Sequence, residues 1–358
     1  HPHRTDADWL APLGPGPATL AEYLAARGYA TGGFVGNLIY ATRETGLDRG
    51  FARYEDYPVS PAMVANSTWA ARWIARTLTA RLGRERPLVH KDAARINRDF
   101  LEWLDGRSDR PFFAFLNYMD AHAPYVPPDS LHARFGPRRT WRAQGDLAWK
   151  REWTEEELAA ERAAYEASIA YVDARVGELL EGLEARGVLS STLVIVASDH
   201  GEQFGEHGLV DHGNSLYRPL LHVPLALRLP GEAVSRRRVG RPVSLRDLPA
   251  TIADLLGDPD PPFPGRSLRP LWEDAPSGAG ASGGDYLVLS AVNQGVRMEE
   301  WMPAARGDMR SIVFGPPGAA GGYHYIRGPG GEEHLYALDD IDEARDLAGD
   351  PLHAEVLD

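Results

Sequence analysis

Apolar residues recur along this chain at two periods, and the alternation between them sets the expected architecture. From Thr19 to Ala30 the stretch TLAEYLAARGYA places Leu20, Tyr23 and Leu24 on one helical face, with Gly28 positioned to end the helix. A short strand is expected at Thr31 to Val35. Trp69, Trp73, Ile74 and Leu78 repeat at helical spacing within Thr68 to Leu82, as do Ile96, Phe100, Leu101 and Leu104 within Ala93 to Leu104, which predicts two amphipathic helices. Pro111 to Met119, PFFAFLNYM, is an almost unbroken apolar run, the pattern of a strand buried on both faces of a parallel sheet. A long helix over about Thr154 to Arg186 follows, with Tyr165, Ile169, Tyr171, Val172, Val176, Leu179, Leu180 and Leu183 on the expected buried side. Thr192 to Ser198 and His222 to Leu229 read as further strands, and Leu245 to Leu256 as a helix closed by Gly257.

A helix between apolar strands marks a βαβ unit, so the expected class is α/β: a mostly parallel central sheet flanked by helices. The stretch EDAPSGAGASGGD, Glu273 to Asp285, is a flexible linker or surface loop. Beyond it Tyr286 to Val292, Arg310 to Gly315 and Tyr323 to Arg327 predict a small C-terminal antiparallel sheet. The expected division is a core over residues 1–272 and a small subdomain over 285–358.

Composition narrows the functional classes. With 358 residues, 43% of them hydrophobic, the chain can bury one large core or two modest ones. A net charge of −13 and a pI near 5.4 argue against a nucleic-acid partner, which requires a basic face. The absence of cysteine removes disulfides, thiolate metal sites and thiol nucleophiles. No apolar run reaches the roughly 18 residues that a membrane-spanning helix needs. Lysine occurs only at Lys91 and Lys150, so a cationic clamp further along must be Arg or His.

In an open α/β sheet, ligands bind beyond the carboxyl ends of the parallel strands. Two such ends carry polar clusters. In Met119-Asp120-Ala121-His122-Ala123-Pro124-Tyr125, His122 can donate to a bound anion or transfer a proton, or it can simply satisfy a turn. The second cluster runs from Ser198 to Gly208, SDHGEQFGEHG, and continues at Asp211-His212-Gly213. Asp199 and His200 offer a carboxylate and an imidazole to a divalent cation, and His212 can act as an anion contact or general acid. A solvated loop is the plainer alternative. Glu202, Glu206 and His207 are individually weak signals, expected mainly to hold the loop through hydrogen bonds.

The ordered set PFFAFLNYMDAHAPYVPP, TLVIVASDHGEQFGEHG, HGNSLYRPLLHVPLALRLPG, VSLRDLPATIADLLG, GRSL and the tail EEHLYALDDIDEARDLAGDP resembles the sulfatase family, within the alkaline-phosphatase-like superfamily. The resemblance implies a hydrolase cleaving sulfate esters. Asp199 and His200 resemble its metal-ligand pair, His122 the residue contacting the sulfate, and His212 the leaving-group acid. Asn37, in Gly33-Phe34-Val35-Gly36-Asn37, falls where members carry Lys or Asn near the anion. The implied cofactor is one divalent metal, calcium in most members, with manganese, magnesium or zinc as alternatives. The implied nucleophile is a formylglycine made from Cys or Ser, and the implied partner is a small-molecule or glycan sulfate ester.

Two departures matter. The paired Asp ligands and the Cys/Ser-x-Pro-x-Arg segment of family members have no counterpart here, and His1-Pro2-His3-Arg4 looks like the stretch just downstream of that segment. The expectation is a chain beginning after the nucleophile and inactive by itself. Arg218-Pro219 also stands where relatives often carry acidic residues. Two alternatives stay open: a phosphomonoester, phosphodiester or phosphonate hydrolase or phosphoethanolamine transferase on the same fold, and a non-catalytic remnant.

Overall fold

Local rules account for where the helices begin in the computed structural model, which describes residue 7 and residues 11–38, 40–56, 91–107, 109–136, 152–231, 237–273, 286–295, 298–315 and 321–357. The helix expected at Thr68 to Leu82 and nearly all of the expected linker lie outside these residues. Thr19 caps α1 (Leu20–Ala26): its hydroxyl accepts from the Glu22 N–H at 3.0 Å, and the Glu22 carboxylate accepts from the Thr19 N–H at 2.9 Å. Gly28 then leaves the helix at φ +88°, a conformation that costs glycine little. Asp92 caps α2 (Ala93–Asp105), and a second reciprocal cap, Thr154 with Glu157, opens α3 (Glu155–Ala185).

The described residues group into two compact units, one ending at Ser191 and the bulk of the other running from Thr192. In the first, β1 (Ala30–Val35), β2 (Arg53–Glu55) and β3 (Phe112–Asn117) form a parallel sheet in the order β2-β1-β3. Its core is Phe34, Ile96, Phe100, Leu104 and Leu183, with Trp103 and Phe112 packed against them. Gly33 is required by close packing, since a β-carbon there would lie 2.4 Å from the Tyr54 ring.

Two expectations need correcting in this unit. β3 is an edge strand among the described residues, and Phe115 is 42% exposed, so this strand is not covered on both faces. The buried side of α3 is lined in its first half by Ala160, Ala163, Ala164, Ala167 and Ser168, while Ile169 is exposed. Small side chains let the first half of α3 approach its neighbours closely, while in its last turns Leu183 is buried in the core as expected, with Leu179 packed against it.

The second unit opens with β4 (Val194–Ala197), which pairs antiparallel with β7 (Leu225–Arg228). A parallel neighbour was expected from the preceding helix. The connection between these two strands holds a small hairpin, β5 (Gln203–Phe204) with β6 (Val210–Asp211), and one helical turn, α4 (Arg218–Leu221), and it returns the chain to pair with β4 in the opposite direction. After α5 (Asp247–Leu255) comes an antiparallel sheet in the order β11-β10-β9-β8, made of β8 (Tyr286–Val292), β9 (Met309–Gly315), β10 (Tyr323–Arg327) and β11 (Glu333–Ala337). The class is therefore α/β, with a helix-flanked parallel sheet and a separate small C-terminal antiparallel sheet. The fourth strand, β11, lies in the tail, where apolar patterning predicted none. Among the described residues no helix is long and apolar enough to cross a membrane.

Candidate active site

In the first unit, the parallel register fixes which residues share the carboxyl end of the sheet. Val35 pairs with Asn117, so the segments following β1 and β3 leave the sheet side by side. Asn37 sits on the first, with its backbone N–H donating to the Asn117 side chain at 2.9 Å. Its own side-chain oxygen accepts from the Tyr40 N–H at 2.9 Å. His122 sits on the second segment, its Nδ1 2.7 Å from the Ala123 carbonyl, so that Nδ1 carries a proton. Donation from Nε2 to an anion then requires the charged ring. Asp120, beside it, caps the Ala93 N–H of α2 at 2.9 Å.

The second unit brings Asp199, His200 and His212 together. Asp199 and His200 follow β4 directly. The Ser198 hydroxyl donates to the His200 carbonyl at 2.7 Å, and the Gly201 N–H donates to the Leu220 carbonyl at 2.9 Å, which pins the turn against α4. His200 Nδ1 lies 2.8 Å from the Gly201 carbonyl, so it is the donor and the lone pair of the neutral ring falls on Nε2. Asp199 Oδ2 lies 3.9 Å from that nitrogen on a side chain 85% exposed. This is a carboxylate and an imidazole presenting acceptor atoms to one place.

His212 follows β6, and its ring stacks on that of His200 with centroids 4.2 Å apart. Its Nδ1 faces both oxygens of Glu202 at 3.1 and 3.2 Å and Asp211 Oδ1 at 2.9 Å. Burial alone would lower the pKa of this imidazole, but the hydrogen bonds and charges of Asp211 and Glu202 outweigh it and raise the value to about 10. The two carboxylates thus favour the charged form of this ring. Glu202, Asp211 and His212 also offer ligand atoms within 4.8 Å of one another. A cation there would have to displace the Nδ1 proton, so proton and metal exclude each other at that nitrogen.

Glu202 and Asp211 are the site residues that sequence alone undervalued. The signal was the hairpin: Gln203 pairs with Asp211, and extending that register by one residue sets Glu202 opposite His212. Glu206 and His207 hold the turn. Glu206 accepts from the Phe204 N–H at 2.5 Å, and His207 stacks on Tyr217 at 3.7 Å. Arg218, the departure noted above, donates from its guanidinium to the Leu338 carbonyl at 2.8 Å.

Residues 2–258 match the family model described as Sulfatase. The chain is 32% identical over 201 residues to an uncharacterized sulfatase, YidJ, of Escherichia coli strain K12, a match taking in 51% of this chain and 39% of that protein. It therefore spans less than half the length of that relative. Among solved structures, the phosphonate monoester hydrolase of Agrobacterium radiobacter superposes with a TM-score of 0.67 at 23% identity, over 96% of this chain and 79% of that one. A structure in complex with its substrate D-glucosamine-2-N,6-O-disulfate gives 0.65 at 17% identity, over 99% and 81%. At these identities the structural likenesses speak for the fold.

Proposed function

The chain belongs to the sulfatase family, and from that membership we propose that the full-length protein hydrolyses sulfate esters with a divalent metal held in part by Asp199 and His200. The observation that carries the reading is the His200–His212 stack, which sets a metal-type carboxylate and imidazole pair against a protonated imidazole.

The donor set fits a divalent cation. Asp199 is exposed and His200 has its tautomer set by the Gly201 carbonyl, as ligating histidines commonly do. A cation bound there would stabilise negative charge on the ester oxygens. Calcium is the proposed ion on family grounds, although an imidazole ligand suits manganese or zinc better than calcium. The proposed nucleophile is the formylglycine of family members.

The chain's own residues have distinct tasks in this scheme. His212 donates its Nε2 proton to the bridging oxygen as the S–O bond breaks, so the alcohol departs neutral. Glu202 and Asp211 hold the resulting ring by Nδ1. By resemblance to family members, His122 and Asn37 are proposed as contacts of the sulfate group, and a small-molecule or glycan sulfate ester is the proposed substrate.

Proton donation matters most when the leaving group is poor. His212→Ala in the full-length protein should slow alkyl or sugar sulfates by about 10²-fold or more while slowing an activated aryl sulfate far less. Kinetics on a leaving-group series check this, and equal losses across the series would rule out the acid role.

A further inference from the structure

Glu343 lies in the C-terminal tail, far in sequence from the site, yet its carboxylate is buried among groups of the His212 segment. Its side chain is 2% exposed and its φ is +49°, a region that a residue with a β-carbon occupies only where the surroundings hold it. Oε1 accepts from His324 Nδ1 on β10 at 2.5 Å. Oε2 accepts from the backbone N–H of Arg218, the first residue of α4, at 2.8 Å, and lies 3.7 Å from His207 Nε2 on the hairpin turn.

Two of these partners bound one segment. His207 and Arg218 are its ends, and His212 lies near its middle. A single carboxylate thus ties both ends of the piece of chain that presents the acid. Neighbouring contacts run the same way: His207 stacks on Tyr217, and the Arg218 guanidinium donates to Leu338 of the tail. His324 relies on Glu343 in turn, because its Nε2 is buried with no hydrogen-bond partner among the described residues.

We propose that Glu343 is a positioning residue for His212, acting as a clasp through which the tail fixes the segment from His207 to Arg218. Its kinetic consequence rests on the reading of His212 as the leaving-group acid, whereas its structural consequence does not. Glu343→Gln keeps the shape of the side chain but removes the charge that His207, His324 and Arg218 face.

Hydrogen exchange on the protein without substrate separates a local clasp from general stabilisation. With Glu343→Gln, amides in residues 203–217 should exchange about tenfold faster while those of β9 and β10 keep their rates. His207→Phe, which preserves a ring against Tyr217, should reproduce the effect at the turn, and it carries the test should Glu343→Gln not fold. Unchanged exchange in 203–217, or an equal rise across β9 and β10, would overturn the clasp. In the full-length protein, Glu343→Gln should lower kcat for poor leaving groups about tenfold more than for activated ones, with KM shifted less than about twofold. Faster local exchange without that asymmetry would also overturn the positioning role, provided His212→Ala shows it. If His212→Ala shows no asymmetry either, the acid reading fails and the exchange pattern still decides the clasp.

Discussion

His212 faces three carboxylate oxygens with one nitrogen, and this has a consequence for stability that does not depend on catalysis. Its folded pKa of about 10 lies above the ordinary histidine value, so the folded state keeps a proton that the unfolded chain releases. The stabilisation is complete below about pH 6.5 and is lost as pH rises toward about 10. With a chelator present, the melting-temperature gap between wild type and His212→Gln should therefore be wide near about pH 6 and narrow near about pH 10. A gap of constant width would show that the ring does not hold its proton. Asp199, His200 and His212 stood out in the sequence because acids and histidines crowd a strand exit. The supporting role of Glu202 did not, because it depends on cross-strand pairing over a loop that carries no apolar alternation.

The turn after β4 is the element on which the site depends, and glycine is obligatory there. A β-carbon on Gly201 would stand 2.0 Å from the Pro219 carbonyl oxygen, a group in α4 that cannot swing away. Gly201→Ala should cost on the order of 3 kcal/mol and lower the melting temperature by several degrees. Gly177 makes the opposite case: it lies inside α3 with nothing among the described residues within 4 Å of a β-carbon, so Gly177→Ala should stabilise by about 0.5–1 kcal/mol. Thermal denaturation of the two variants side by side checks both signs. Elements with strong local signals were legible in the sequence, notably α1, α2, α3 and the apolar strands β1 and β3. Pairing was less so. Nothing in VIVA names LALR as its antiparallel partner, and the alanine stripe of α3 looks weakly apolar although it holds most of that helix's buried residues.

At the scale of the whole molecule, an acidic chain is assigned an anionic substrate, which is tenable only if positive charge is concentrated at the site. With a net charge of −13, the long-range field repels sulfate esters. In the proposed scheme local groups reverse it: a divalent cation on Asp199 and His200, and the protonated ring of His212. The solved structures sharing this fold include a phosphonate monoester hydrolase and a protein in complex with its substrate D-glucosamine-2-N,6-O-disulfate. The deciding measurement is therefore steady-state hydrolysis by the full-length protein of a sulfate ester and a phosphonate monoester sharing one leaving group, with and without added calcium. The kcat/KM for the sulfate should be at least about tenfold higher, dependent on the cation and lost in Asp199→Ala. Faster phosphonate hydrolysis, or sulfate hydrolysis indifferent both to chelation and to Asp199→Ala, would contradict the proposed function.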